Sequence, residues 1–321
     1  MNLVPKPTKV LYIASEVRSG STLLELLLGR SVASTFMAGE IAAIWQHGFI
    51  ENFLCGCGRP LQQCDFWVAV VQKAFGGWQG VDPHRMLKLW GAIGRIRNAA
   101  TTGLRIAAQR ATFHEELREL STTWHSLYTA IQEVSGCQVI IDSSKVPVGC
   151  LILNEIGGID SYILHLVRDS RAVAYSLQRR RLRPEVTDRA EYMAQFNPLA
   201  SALRWVIVNL MISGNARDCR HYKRLRYRRL VERPQGAVAD IAAYIGEPAD
   251  DSGWIDGHVI QLGDNHTLGG NPVRFKRGWM EIRSDDEWRD KMPCAQQWLV
   301  TGLTSPVLWH YGYFRQNNGR V

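Results

Sequence analysis

The sequence predicts an α/β protein with a parallel sheet of about four to five strands and helices on both faces. Short apolar runs rich in β-branched residues recur at positions 9–14, 138–141, 161–167 and 224–230, and each precedes a loop and then helical periodicity. The chain has 321 residues, 46% of them hydrophobic, which is enough to bury a core of ordinary size. We therefore predict a single domain over residues 1–321.

The first predicted strand leads directly into a short Gly/Ser/Thr loop and an apolar helix. The loop reads Arg18-Ser19-Gly20-Ser21-Thr22. Backbone N–H groups of such a loop, together with the helix N-terminus, attract an anion, so this segment predicts a phosphate site. The loop lacks the Gly-Lys-Ser/Thr ending that places a lysine on the terminal phosphate and a hydroxyl on Mg²⁺. A nucleoside triphosphatase is therefore disfavoured.

A long insertion separates the first two predicted strands. Asp82 and Pro83 provide an N-cap and a first-turn proline, and a second helix follows with a strong apolar stripe. The stripe consists of Phe113, Leu117, Leu120, Trp124, Leu127 and Ile131. We expect residues 82–136 to form a helical cap on the sheet and the Gly-rich residues 253–280 to form a C-terminal lid loop.

The third predicted strand leads into a second candidate anion site. It ends at Arg168, and Ser176 follows eight residues later in a predicted helix. Each residue alone has an ordinary interpretation, as an ion pair of Arg168 with Asp169 and as a tolerated helical serine. Beside a phosphate loop, the pair favours a site for a second phosphate.

These two motifs, in this order and with this spacing, resemble those of the sulfotransferases that use 3′-phosphoadenosine-5′-phosphosulfate (PAPS). In that family the first motif, here residues 18–22, holds the 5′-phosphosulfate, and the second, here Arg168 and Ser176, holds the 3′-phosphate. The resemblance implies a P-loop-like fold and transfer of a sulfuryl group from PAPS to a hydroxyl of a small molecule, lipid or carbohydrate. It implies no metal.

Two further segments extend the resemblance. Tyr227 corresponds to a tyrosine near the adenine, although arginines replace the acidic pair that follows it in the family. The segment 270–278 is similar to the basic loop that closes over the 3′-phosphate, which suggests Arg274, Lys276 and Arg277 as donor-binding cations.

Sulfuryl transfer needs cations that stabilise the leaving group and a base that takes the acceptor proton. Arg18 and Lys145 are the predicted cations, since Lys145 follows a strand at the sheet edge where α/β proteins bind ligands. Glu40 is the predicted base, because Gly39-Glu40 resembles the base element of tyrosylprotein sulfotransferases; its alternative role is to begin a helix. His266 in the lid is the second candidate for the base, and His47, His125 and His165 are further alternatives.

Composition and charge limit the cellular location and the binding partners that we expect for this chain. The formal net charge of +8 favours an anionic partner, which includes nucleic acid and membrane surfaces. No apolar run approaches the roughly 20 residues of a membrane span, and the N-terminal residues lack a secretory pattern. The odd number of seven cysteines argues against a disulfide scaffold. We expect a cytoplasmic protein without integral membrane association, and the sequence predicts no particular oligomeric state.

Parts of the sequence also suggest two functions other than sulfuryl transfer. A small-molecule kinase using ATP and Mg²⁺ is suggested by Asp142, which ends an apolar strand as in phosphate-loop NTPases, and is disfavoured by the loop sequence. A nucleotide- or nucleic-acid-binding module is suggested by arginine clusters at 179–183 and 224–229. The two spaced anion motifs disfavour a nucleic-acid partner.

Three thiols lie within a stretch of ten residues, at Cys55, Cys57 and Cys64. A structural zinc site is one interpretation, yet no fourth ligand stands at zinc-finger spacing and His47 is the only histidine nearby. The segment also resembles a Cys-x-Cys-Gly element of bacterial members of the family, which suggests a local structural element over the acceptor cleft. A redox-sensitive disulfide is a third interpretation.

Overall fold

The computed structural model describes residues 7–94, 111–284 and 286–314. Within these residues, a five-stranded parallel sheet has the order β2-β3-β1-β4-β5. The strands are β1 (Thr8–Ser15), β2 (Thr35–Gly39), β3 (Val139–Lys145), β4 (Ile159–Val167) and β5 (His221–Arg226). The predicted α/β fold with a parallel sheet is confirmed.

Two strands differ from the sequence prediction. The edge strand β2 was not predicted, because its five residues carry no strong alternation. The strand predicted at 224–230 lies at His221–Arg226 instead, and Tyr227 begins a helix. Its residues alternate between more and less buried, which is typical of a sheet edge, and the arginines hide this period in the sequence.

Helices cover both faces of the sheet. Leu11 and Ile13 of β1 face the helices α1 (Ser21–Ser31) and α9 (Pro234–Ile245), whereas Val10 and Tyr12 face the opposite core. All four side chains are fully buried, as expected for a parallel strand packed on both sides. The other helices are α2 (Asp65–Phe75), α3 (Pro83–Ile93), α4 (Ala111–Ser135), α5 (Gly149–Glu155), α6 (Ser170–Gln178), α7 (Pro198–Asn215), α8 (Tyr227–Glu232), α10 (Glu287–Lys291) and α11 (Cys294–His310).

The predicted insertion contains α3 and α4. The Asp82 side chain accepts hydrogen bonds from the backbone N–H groups of His84 and Arg85, which caps α3 as predicted. The stripe of α4 packs into the core, with Leu120, Trp124 and Ile131 fully buried. Residues 95–110 and the side chain of Phe113 lie outside the described part of the chain.

The predicted lid loop at 253–280 is only partly a loop. A small antiparallel sheet, β6-β7-β8, is formed by Trp254–Ile255, Val259–Leu262 and Gly278–Glu281. The segment therefore contains strands as well as loop, and some of its glycines mark hairpin turns: Gly257, with φ of 68°, connects β6 to β7. We use the name lid loop below for residues 263–277, which connect β7 to β8.

The lid loop contacts the edge of the main sheet. Leu268 forms an isolated parallel bridge with Gly39, and its carbonyl accepts a hydrogen bond of 2.6 Å from the Glu40 backbone N–H. The N–H of Leu268 donates to the Ala38 carbonyl at 3.1 Å. This contact brings the lid loop to the end of β2.

Among the helices of the described residues, none combines the length and apolar character needed to cross a membrane.

Candidate active site

A cavity of about 500 Å³ opens at the carboxyl ends of the parallel strands. This is the edge at which open α/β sheets bind ligands. The residues of the predicted site that line it come from five different segments of the chain. They are Arg18, Gly20, Ser21, Thr22, Glu40, Lys145, Arg168, Ser176 and Tyr227.

The loop between β1 and α1 forms one wall of the cavity. Gly20, with φ of 93°, stands at the N-cap of α1, and no side chain among the described residues caps that helix. The Ser19 hydroxyl is buried and lacks a hydrogen-bond partner within the described part of the chain. An uncapped helix start beside an unpartnered hydroxyl is suited to hold an anion.

The position of the Tyr227 ring requires glycine at residue 20. A Cβ at this position would lie 2.3 Å from Cε2 of the Tyr227 ring, and the left-handed backbone also favours glycine. The tyrosine thus packs directly against the anion loop, although it stands at the first turn of α8 and not on a strand.

The second motif joins the same cavity from β4 and α6. Arg168 follows β4, and its guanidinium lies over the Tyr227 ring with 4.8 Å between Cζ and the ring centroid. Nη1 of Arg168 donates to the carbonyl of Arg18, so the arginine spans both motifs. Asp169 caps α6 through the N–H of Arg171 and pairs with the Arg171 side chain.

Lys145 and Glu40 meet in the cavity as an ion pair. Lys145 ends β3 and Glu40 follows β2, and these strands are neighbours in the sheet. Their side chains are 13% and 23% exposed, so both reach the cavity while being held by the fold.

The cavity carries crowded positive charge. Burial, and then the nearby Arg181 and Arg168, lower the pKa of Arg18 to about 10. Arg181, Arg183 and Arg204 also line the cavity. Such crowding of cations in a partly buried site is what an anionic ligand would relieve.

Two buried carboxylates beneath the cavity were not predicted as part of the site. Glu25 of α1 accepts hydrogen bonds from the Gly39 N–H (2.6 Å) and the Ser143 hydroxyl (2.7 Å), and burial raises its pKa to about 8. Asp142 accepts from the Tyr128 hydroxyl at 2.6 Å, and burial raises its pKa to about 6. The signal for Glu25 was one charged residue within the apolar run Leu23–Leu28.

His266 lies in a different place from the cavity. Its Nδ1 is 3.2 Å from Sγ of Cys64, and its ring stacks on Phe66. Of the described residues that line the cavity, one is a histidine, His47. Burial, and then the nearby Arg183, lower the pKa of His47. The role of His266 as a base stays a prediction that this geometry does not favour.

Two of the three lid-loop cations, Arg274 and Arg277, hold the lid loop in place in this structure. Arg274 is 1% exposed, and its guanidinium donates to the carbonyls of Thr267 (2.7 Å) and Leu54 (3.0 Å). Arg277 donates to Asp264 and to the Gly56 carbonyl, and Lys276 is exposed. From the lid loop, Gly270, Asn271 and Val273 line the cavity. The proposed phosphate contacts of the three cations stay predictions.

Comparisons with known proteins give structural neighbours. No family model matches the sequence, and no curated protein matches it. The sulfotransferase domain of the Synechococcus PCC 7002 olefin synthase is 19% identical, with a TM-score of 0.52, over 94% of this chain and 95% of that one. The sulfotransferase domain from the curacin biosynthetic pathway is 16% identical, with a TM-score of 0.51, over 94% and 97%. This chain therefore has the fold of sulfotransferase domains.

Proposed function

We propose that this protein is a sulfotransferase that moves a sulfuryl group from PAPS to an acceptor hydroxyl. The observation that carries the proposal is the meeting of both anion motifs with the Lys145–Glu40 pair in one cavity. Each motif is common by itself, whereas their convergence supplies sites for two phosphate groups and a base within the same space.

The residues present fit such a donor. The uncapped start of α1 and the unpartnered Ser19 hydroxyl would hold the 5′ end, where Arg18 supplies charge. Arg168 and Ser176, which also line the cavity, would hold the 3′-phosphate. The Tyr227 ring, packed on the loop, would offer a surface for the adenine.

The mechanism follows from where the charges lie. PAPS supplies, when bound, a sulfuryl group on a phosphate leaving group. Glu40 takes the proton of the acceptor hydroxyl as the acceptor oxygen bonds to sulfur and the bond from sulfur to the phosphate oxygen breaks. Arg18 and Lys145 stabilise the charge that develops on the departing oxygen and on the sulfuryl oxygens.

The ion pair gives Lys145 a second role. Before the acceptor arrives, the ammonium group pairs with the Glu40 carboxylate and orients it in the cavity. When the proton moves onto Glu40, this attraction weakens, and Lys145 becomes available for the leaving group. Base and cation are thereby coupled.

The cavity wall supports an acceptor with an apolar body. Val17, Leu23, Met193 and Phe196 line it together with the cations. Such a wall is typical of small-molecule sites, where a few polar groups set orientation. A lipid, carbohydrate or other small-molecule alcohol remains the proposed acceptor class.

Both alternatives are less well supported by the site. Asp142 is 0% exposed, its two oxygens accept hydrogen bonds from Tyr128 and Ser144, and it is not among the described residues lining the cavity. It is thus poorly placed to organise a magnesium ion. The anion motifs lie inside a cavity, whereas nucleic acid needs a surface groove.

Calorimetric binding tests these functions against one another. We expect adenosine 3′,5′-bisphosphate to bind more tightly than adenosine 5′-monophosphate, ATP with Mg²⁺ or single-stranded DNA. Arg168→Ala should weaken the bisphosphate by at least about tenfold, the scale of a lost charge-assisted contact, and weaken the monophosphate clearly less. Arg283→Ala, at an exposed arginine paired with Glu281, is the control.

Tighter binding of ATP with Mg²⁺, or equal losses for both adenosine phosphates in Arg168→Ala, would contradict the proposal. Mass spectrometry of reactions with PAPS and a panel of alcohols then identifies the acceptor by the added sulfuryl group.

A further inference from the structure

The three thiols of the segment 55–64 meet a fourth potential metal ligand from the lid loop. Cys55, Cys57, Cys64 and His266 each offer one ligand atom, and these four atoms lie within 4.8 Å of one another. Cys64 and His266 are 202 positions apart in the sequence. The fold therefore supplies the fourth ligand that is absent at zinc-finger spacing.

Three of the six distances between these ligand atoms are close to the edges of a zinc tetrahedron. Bonds of about 2.3 Å to sulfur and about 2.0 Å to nitrogen give edges of about 3.8 Å between sulfurs and about 3.5 Å between sulfur and nitrogen. Sγ of Cys57 and Cys64 are 3.7 Å apart. Nδ1 of His266 lies 3.8 Å from Sγ of Cys55 and 3.2 Å from Sγ of Cys64.

We propose that these four residues bind a structural Zn²⁺ ion. Three thiolates and one imidazole form a ligand set that zinc prefers, and four protein ligands leave no open position for a substrate. Binding would release the thiol protons, so the affinity should rise with pH. The site is separate from the cavity and does not depend on the proposed sulfuryl transfer.

The surrounding residues fix the histidine. The Phe66 ring stacks on the imidazole, with 5.2 Å between centroids, and the Trp67 indole N–H donates to the His266 carbonyl at 2.8 Å. These contacts aim Nδ1 at the thiols. Such supporting contacts are a usual feature of built metal sites.

The backbone around the thiols is also adapted to the lid loop. The Gly56 N–H donates to the Thr267 carbonyl at 2.9 Å. A Cβ at Gly56 would lie 1.9 Å from Oδ1 of Asn265, so the close approach of the two segments requires glycine.

The charge of a site with three thiolates is also compensated. Three thiolates and Zn²⁺ leave one net negative charge. The buried Arg274 guanidinium donates to Thr267 and Leu54, each next to a ligand in sequence, and Cys64 stands at the positive N-terminus of α2. If the four ligand residues were neutral and held no ion, the buried positive charge of Arg274 would be less stabilised.

The ion would hold the lid loop against the body of the protein. Leu268, two residues after His266, pairs with the strand end before Glu40, and the Asn271 N–H donates to the Thr22 hydroxyl at 3.1 Å. A metal link at 266 would therefore support the cavity wall from outside.

Metal analysis of the full chain tests the proposal. Protein purified from zinc-supplemented cells should contain about one zinc per chain, bound with the stability of a structural site. Cys64→Ser and His266→Ala should lose most of it, His266→Cys should retain it, and Cys294→Ser, at an exposed cysteine elsewhere, should match the parent chain. Protein loaded with Co²⁺ should show thiolate-to-cobalt absorption that Cys64→Ser weakens.

A parent chain that contains no zinc and shows no such cobalt absorption would overturn the proposal. So would full zinc retention in His266→Ala, or an intact mass two hydrogens lower that reports a Cys57–Cys64 disulfide in place of the metal. Circular dichroism separates loss of metal from loss of folding, and the parent-chain measurements decide the question even where a variant fails to fold.

Discussion

The backbone at Arg18 and Lys145 is left-handed, with φ angles of 65° and 70°. Non-glycine residues seldom adopt this conformation, which costs on the order of 1–3 kcal/mol and tends to occur at functional sites. The two cations proposed to stabilise the leaving group are thus held by strained turns at the ends of the first and third strands. Their placement reflects backbone geometry that a side-chain substitution alone would not reproduce.

Glu40→Gln tests the proposed base at the residue scale. The amide keeps the size of the side chain but cannot take a proton, so we expect kcat to fall by about 10²–10⁴-fold. The affinity for adenosine 3′,5′-bisphosphate should change little, because Glu40 is assigned to the acceptor. Steady-state kinetics and calorimetry measure the two quantities, and His47→Gln, at the cavity histidine, is the comparison. A larger loss of kcat in His47→Gln than in Glu40→Gln would reassign the base.

At the scale of elements, the helix α1 joins the anion loop to two strand ends. The anion loop leads into the first turn of this helix. One turn later, Glu25 accepts hydrogen bonds from the Gly39 N–H and the Ser143 hydroxyl. Gly39 precedes the proposed base, and Ser143 lies two residues before Lys145. Buried Glu25 thereby positions the strand ends that carry both proposed catalytic side chains.

The raised pKa of Glu25 predicts a pH-dependent stability. Burial lifts the pKa from its ordinary value near 4.5 to about 8 in the folded chain, so the folded state binds the proton more tightly than the unfolded state. The stability contributed by this group is complete below about pH 4.5 and is lost as the pH rises toward about 8.

Glu25→Gln mimics the protonated form and lacks this dependence. Urea unfolding at about pH 5.5 and about pH 7.5 should therefore show the parent chain losing stability relative to Glu25→Gln, by up to about 1.4 kcal/mol per pH unit. Since Asp142 is present in both chains, the difference isolates Glu25. A difference that is independent of pH would show that the carboxylate titrates alike in both states.

At the scale of the whole molecule, the sequence predicts the features that a local pattern encodes. It does not predict the features that depend on contacts between distant segments. The strand, the anion loop and α1 are contiguous, so residues 10–24 predict them directly. Arg168 and Ser176 lie on one strand–helix unit for the same reason. The pairing of β2 with Leu268, the meeting of His266 with Cys64 and the bond from Arg274 to the Leu54 carbonyl join segments more than 190 positions apart, and no local period encodes them.

The lid loop gives the clearest case in which a family resemblance and the structure assign different tasks. The resemblance suggests Arg274, Lys276 and Arg277 as cations for the 3′-phosphate, whereas here the Arg274 guanidinium is buried and bonded to two carbonyls. Arg274→Ala removes charge-assisted bonds to Thr267 and Leu54, and we expect unfolding in urea to require about 2–4 kcal/mol less. Lys276→Ala, at an exposed neighbouring cation, should change the stability by less than about 0.5 kcal/mol.

Binding measured on the same two variants distinguishes the two tasks. If Arg274 serves the lid loop, Arg274→Ala weakens adenosine 3′,5′-bisphosphate and adenosine 5′-monophosphate together, because the wall formed by Gly270 and Asn271 loosens for both. A selective loss of the bisphosphate at unchanged stability would instead place Arg274 on the 3′-phosphate. That result would require the lid loop to rearrange when the donor binds, since the arginine would first have to release both carbonyls.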